Sequence, residues 1–262
     1  MLLEKKNAVI YGAGGAIGGA MARAFAREGA RVFLTGRHLA SVEGVASEIT
    51  ASGGTASAAQ VDAFDEPSVE THADAVVAQA GSIDISINTI SIPQRGIQGI
   101  PLLELSPESF VLPVTTYARS HFLTARAAAR RMVKQGSGVI LMHTAMPGSA
   151  PTPLVGGMGL VWAGMEALTR NLSAELSAQG IRVLCLRTDG IPETATIEVV
   201  FSVHAEAIGQ TREQFESLAA SLNPQKRLPT LVEVANVATF LASDQASAMT
   251  GTVVSFSTSS IV

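Results

Sequence analysis

Cysteine occurs once in this chain, at Cys185. A lone thiol cannot build a disulfide framework or a cysteine-based metal centre, so no metal site is expected. Its place in the apolar run Ile181–Arg187 predicts a buried strand residue in a reducing compartment. Basic residues do not exceed acidic ones: 18 Lys and Arg face 22 Asp and Glu, for a net charge of −4. There is no basic footprint, and nucleic acid is excluded as an expected partner. No apolar run approaches the length of a membrane span, so no membrane association is expected. The opening residues MLLEKKN lack the apolar core of a signal peptide. Those two absences predict a cytoplasmic protein. Aromatic residues make up only 5% of the chain, with two tyrosines and one tryptophan, so phenolic acids are scarce.

What is abundant is small and apolar. The 262 residues are 47% hydrophobic, which suits one α/β domain able to bury about 75% of its unfolded surface. The stretch NAVIYGAGGAIGG, Asn7 to Gly19, sets the pattern. An apolar run ends at Gly12, small residues follow, and Ala20–Arg27 has the spacing of a helix with one apolar face. Strand, tight turn and helix in that order make a phosphate cradle. The helix N-terminus offers unpaired N–H groups and a positive dipole end, and glycine lets the phosphate approach the backbone. The candidate cradle residues are Gly12, Gly14, Gly15, Ile17 and Gly18.

Strands and helices then alternate. Strands are predicted at 31–35, 56–61, 83–88, 138–144, 181–187 and 252–256, and helices at 39–52, 66–80, 158–178 and 231–242. Residues 107–134 read as a short helix and then a long one, divided at Pro113. Residues 189–229 read as an inserted substrate lid with one helix near Glu213–Leu222. The alternation predicts a single domain over 1–262, an α/β doubly wound parallel sheet, with ligands beyond the strand C-terminal ends. That edge would carry Gly12–Gly18, Arg37, Asp62, Asn88, Thr144, Ala145 and Asp189.

The chain resembles the short-chain dehydrogenase/reductase family over nearly its whole length. The family's TGxxxGxG turn stands as Tyr11-Gly12 to Ala16-Ile17-Gly18, and its Asn-Asn-Ala-Gly motif as Asn88-Thr89-Ile90-Ser91. Glu166–Leu172, Gly180–Val183, Phe240–Asp244 and Thr250-Gly251 are similar to its later elements. The resemblance implies a Rossmann fold and a nicotinamide dinucleotide. It places adenine at Asp62, and adds Ala63, Asn88, Thr89 and Ile90 to the cofactor wall. An acidic residue after the second strand would favour NAD(H); here Thr35-Gly36 leads to Arg37, whose guanidinium suits a 2′-phosphate, so NADP(H) is favoured over NAD(H).

The family's catalytic residues are not matched. Its Ser, Tyr and Lys positions hold Ala145, Met158 and Trp162, and its Asn position holds Tyr117. The wider spacing of the enoyl-reductase branch puts Val155 at the Tyr position and keeps Trp162 at the Lys position. The two tyrosines are followed four residues later by Gly15 and His121, so no Tyr-x-x-x-Lys pair exists in any register. Hydride transfer to a carbonyl leaves an alkoxide that needs a proton donor or an oxyanion stabiliser. The remaining candidates are Tyr117 as the acid, His143 as a second donor on the side of Ala145, and Thr144 as a carbonyl donor if the strand ends there. His121 and Arg119 read as a solvated or subunit-facing helix surface.

Three functions stay open. One is an oxidoreductase of non-standard active site acting on an activated C=N or C=C acceptor. The second is a catalytically inactive cofactor-sensing or partner-binding protein, and the third an isomerase, lyase or cyclase. The apolar residues Ile191, Pro192, Ile197, Val199 and Val200 suit a mostly apolar small-molecule ligand. Small residues on helices 114–134 and 158–178 predict a homo-oligomer, a tetramer or a dimer, as the resemblance also implies.

Overall fold

The structure, a computed structural model, describes residues 1–256. The last six residues of the expected domain lie outside the described residues.

Seven strands form one parallel sheet: β1 Asn7–Tyr11, β2 Arg31–Gly36, β3 Thr55–Gln60, β4 Ile85–Asn88, β5 Gly138–Ala145, β6 Ile181–Thr188 and β7 Val253–Ser255. Their order is β3-β2-β1-β4-β5-β6-β7, a doubly wound sheet as expected. Among the described residues eight α-helices flank it: α1 Ala16–Arg27, α2 Leu39–Ala51, α3 Glu66–Ala80, α4 Pro107–Gln135, α5 Met158–Leu176, α6 Ala195–Ala207, α7 Arg212–Leu222 and α8 Leu231–Ala242.

Strand alternation divides the core in two. Ile10, Leu34, Ile85 and Leu184 pack with Met21, Phe25 and Leu241 on one face. Val9, Phe33, Ile140 and Val183 pack with Val69, Ala128 and Met132 on the other. Both faces are covered, which is why the strands read as continuous apolar runs. Cys185 is free and buried, as predicted. No helix among the described residues is long and apolar enough to cross a membrane.

Two elements differ from the reading above. Helix α4 runs unbroken through Pro113. In the second turn the proline forfeits one bond, to the Ser109 carbonyl, and its buried ring stands against Gly157. The segment 189–229 carries two helices rather than one. Thr194 caps the unforeseen α6 through the Ile197 N–H, and Phe201 and Phe215 lock α6 to α7 edge to face at 5.4 Å.

Candidate functional site

The chain crosses from one side of the sheet to the other between β1 and β4, and a crevice opens beyond their C-terminal ends. The turn after β1 is held by the N–H groups of Gly12 and Ala13, which donate to the Thr35 carbonyl at 2.9 and 3.0 Å. Gly12 has φ +79°, and a Cβ there would stand 2.8 Å from the Ile90 nitrogen. A Cβ on Gly18 would stand 2.5 Å from the Thr89 hydroxyl. The glycines therefore let the β1 turn lie directly on the β4 loop. Thr89 fastens that loop by donating its hydroxyl to the Tyr11 carbonyl at 2.9 Å. Asn88 is buried; its Oδ1 accepts from the Ile90 N–H at 3.0 Å and its amide donates to Thr124 at 3.2 Å.

Gly14, Gly15 and Ala16 are exposed, Ile17 packs partly into the core, and no side chain caps α1 at Gly15. A bare, glycine-lined helix N-terminus fits the pyrophosphate of a dinucleotide. Asp62 accepts the Phe64 N–H at 3.0 Å, a turn that brings buried Ala63 beneath the same edge. Arg37 is exposed, its guanidinium 5.9 Å from the Phe64 ring centre, and no ion pair occupies it among the described residues. The sequence-predicted cofactor residues thus share one edge of the sheet.

Across the crevice, apolar side chains gather. Tyr117, Met158, Val161, Met165 and Ile97 form one buried apolar cluster, with Ile90, Ile92, Val155 and Trp162 packed on it. Positions 117, 158 and 162 do converge, but around hydrocarbon. Ala145 lies half-buried where β5 ends, opposite Thr188 of β6. Burial pushes the Tyr117 phenol up from its ordinary value, and the Ile92 backbone with the Ser91 and Gln94 side chains draws it partly back.

His143 shares a 3.0 Å hydrogen bond with the Thr188 hydroxyl. Burial, aided by neighbouring His121, lowers it to about 4, so it is neutral at physiological pH and a weak acid. Thr144, expected as a candidate carbonyl donor, is instead wholly buried. Its hydroxyl donates to Glu166 at 3.2 Å, and Arg187 clasps the same carboxylate at 2.8 and 2.7 Å. That leaves no Thr144 proton for a substrate. His121 is not a surface residue. It lies on the buried stripe Tyr117, Ser120, His121, Thr124, Ala128, with Nδ1 against the Tyr117 carbonyl at 3.0 Å. The spacing i, i+3, i+4, i+7 was the available signal.

Sequence reasoning missed Gln94, Gln98 and His204, all buried. They sit in the loop after β4 and on α6, joined Gln94 to Gln98 at 2.7 Å and Gln98 to His204 at 3.1 Å. Elsewhere on this side, Ser91 meets Thr196 of α6 at 3.3 Å, and Asn223 donates to Asp189 at 3.1 Å, so the 189–229 segment is tied to the crevice edge.

The family model described as "Enoyl-(Acyl carrier protein) reductase" matches residues 12–257. The chain is 32% identical over 249 residues to the uncharacterized oxidoreductase YxbG of Bacillus subtilis, covering 95% of this chain and 88% of that one. It is 33% identical over 263 residues to an L-rhamnose 1-dehydrogenase (NAD(P)(+)) of Azotobacter vinelandii, covering 96% and 94%. Among solved structures, NAD+-bound xylitol dehydrogenase superposes with a TM-score of 0.91 at 23% identity, covering 98% and 99% of the two chains, which speaks to the fold.

Proposed function

The chain belongs to the short-chain dehydrogenase/reductase family of oxidoreductases, whose cofactor is NAD(P)(H), and from that premise we propose a reductase of non-standard active site, acting with NADP(H) on an activated C=C or C=N acceptor. The observation that carries this reading is the contrast within the crevice. The phosphate cradle is bare and exposed, while positions 117, 158 and 162 close into apolar packing.

The bound dihydronicotinamide would supply the hydride. The unpaired N–H groups of α1 would hold the pyrophosphate, Arg37 the 2′-phosphate, Asp62 and Ala63 the adenine, and Asn88, Thr89 and Ile90 the inner wall. Met158, Trp162 and Val155 would exclude water and hold an apolar acceptor. With no side-chain donor at Ala145 to polarise an unactivated carbonyl, His143 neutral and the Tyr117 phenol raised by burial, plain ketones fall outside the chemistry. An iminium needs no proton, and a conjugated alkene needs one, for which Tyr117 is the candidate donor. Asp189 at the edge favours a cationic acceptor over a developing anion.

The test is NADPH oxidation followed by absorbance against cyclic imines, conjugated enones and simple ketones. Turnover is expected with an imine or an enone and not with ketones; ordinary rates on ketones would overturn the reading. A second reading, a dinucleotide-binding protein without turnover, is favoured by the full burial of Met158 with Trp162 packed on it, and it predicts tight NADPH binding with every acceptor inert. A homotetramer or homodimer in the cytoplasm completes the proposal. Exposed Val111, Leu112 and Phe122 on α4 and Leu160 on α5 offer apolar surface for it, checked by sedimentation at micromolar concentration.

A further inference from the structure

A small cavity lies between β4, β5 and α4. Its volume is about 10 Å³, the room that one water-sized sphere occupies. Every residue lining it is buried. Ile140, Leu141 and Met142 of β5 make an apolar wall. Ser86 and Asn88 of β4 and His121 and Thr124 of α4 bring polar groups to the same space.

The hydrogen bonds around the cavity fix which atoms have capacity left over. His121 Nδ1 meets the Tyr117 carbonyl at 3.0 Å. A carbonyl only accepts, so Nδ1 carries the proton, and Nε2 of the neutral ring is a bare acceptor. Nε2 is buried and takes part in no hydrogen bond among the described residues. Asn88 is oriented by the same logic. The Ile90 N–H can only donate, so the atom it meets is Oδ1, and the amide nitrogen faces Thr124. That nitrogen carries two hydrogens, and the Thr124 hydroxyl takes one of them. Thr124 in turn gives its own proton to the Ser120 carbonyl at 2.9 Å, so it has none for His121. One amide hydrogen and one ring lone pair therefore remain around a water-sized space, with the Ser86 hydroxyl, which can give or take, beside them. Leaving both unmet in an apolar interior is costly.

We propose that this cavity is a binding site for one structural water, which donates to His121 Nε2, accepts from the second Asn88 amide hydrogen and shares a third bond with the Ser86 hydroxyl. Three partners are the usual complement of a buried water. The site bears on the crevice through Asn88. Asn88 Oδ1 holds the Ile90 N–H, and Ile90 is the residue on which the β1 turn lies, 2.8 Å from a Cβ placed on Gly12. The water seats the Asn88 amide from behind, while the front of that amide fixes the loop against the cradle. His121 is thus a positioning residue, tying α4 to the inner wall of the crevice through a single water.

The link to cofactor binding rests on the dinucleotide reading of the crevice; the water site does not. A crystal structure that shows ordered waters should hold one density peak within hydrogen-bonding reach of His121 Nε2, Asn88 Nδ2 and Ser86 Oγ. In solution, nitrogen-labelled His121 should show the neutral tautomer protonated at Nδ1, with Nε2 accepting a hydrogen bond. No density there, or a ring protonated at Nε2 toward the Asn88 carbonyl that also faces it, would each overturn the proposal. Ser86→Val sets a methyl group where the water sits. It should move the Nε2 signal downfield, to that of an unbonded nitrogen, and remove one long-lived water from the oxygen-17 relaxation dispersion. His121→Leu should lose the same water. His121→Gln should keep it, because its amide can give to the Tyr117 carbonyl and take from the water. Equal water counts in all four proteins would sink the site. Losing the water should weaken NADPH about fivefold in Ser86→Val and His121→Leu, the worth of one neutral hydrogen bond, and leave His121→Gln near the unmutated value. If the water leaves and NADPH affinity holds, the site stands and its link to the crevice wall is refuted. If the unmutated protein binds no NADPH, the dinucleotide reading fails and the density and the His121 signals still decide the site.

Discussion

Two segments face each other across the crevice, the turn after β1 and the region where β5 ends and α5 begins, and they treat polarity in opposite ways. The first leaves backbone donors open to solvent, with glycine where a side chain would cover them. The second holds hydrocarbon at Met158 and Val155 and ties its polar groups to one another, His143 to Thr188 and Thr144 to Glu166. Binding and chemistry are separable within one sheet edge. The binding half depends on backbone geometry, which tolerates few substitutions. The chemical half depends on side chains, which can be exchanged without disturbing the strands that carry them.

The largest expected effect comes from making the two halves alike. Ala145→Ser, Met158→Tyr and Trp162→Lys together should create NADPH-dependent ketone reduction, a gain on the order of 10²–10⁴-fold over the unmutated protein. Single replacements should gain little, because such groups act as a unit. Assays of all seven combinations on one ketone check this; a single replacement matching the triple would break the comparison.

Acid should strike the chemical half first. Burial, opposed by the Tyr117 and Asn88 backbone carbonyls, holds His121 near 4 in the fold, against 6.5 for an ordinary histidine. Below about pH 6.5 the unfolded chain takes up a proton that the fold refuses. Stability is thus full above that pH and falls as pH drops from about 6.5 to 4, by about 3 kcal/mol for this group. Urea midpoints across that range should fall in the unmutated protein and fall less steeply in His121→Leu, the remaining slope coming from groups such as His143 that burial also holds near 4.

A carboxylate placed in the cradle should separate folding from binding. Gly15 has the extended N-cap geometry, φ −83° and ψ 165°, which aspartate also adopts. Gly15→Asp should therefore cap α1 and stabilise the fold by a few tenths of a kcal/mol, while weakening NADPH about a hundredfold by filling and charging the anion site. Thermal melts and calorimetry on one preparation give the two signs. The smallest effect concerns the ribose. Arg37→Ala should weaken NADPH about tenfold and leave NADH unchanged, in line with one charge-assisted contact to phosphate. Equal losses for both would assign Arg37 to packing on Phe64.

These tests bear on what could be read from the chain alone. The sheet was legible because each buried strand is an apolar run followed by a glycine or polar stop, as at Tyr11-Gly12. The cradle was legible because glycine spacing is a local signal. Helix α6 was not: its side chains pack on a neighbouring helix, and its Thr194 cap sits in a segment without clear periodicity. Pro113 misled because only tertiary packing shows that its ring has a place beside Gly157. The glutamines were invisible for another reason. A lone Gln in a Pro- and Gly-rich loop is ordinary surface composition, and only burial makes Gln94 and Gln98 notable.

Trp162 is the chain's single tryptophan, and it stands half-buried at the apolar wall of the crevice. Indole emission, excited selectively beyond the absorption of the two tyrosines, therefore originates at one point. A dihydronicotinamide absorbs where an indole emits, so its arrival would drain that light by energy transfer, while an oxidised ring stacked nearby would quench it by contact. An indole at that place is an optical gauge in the crevice, able to read occupancy and cofactor redox state without a label.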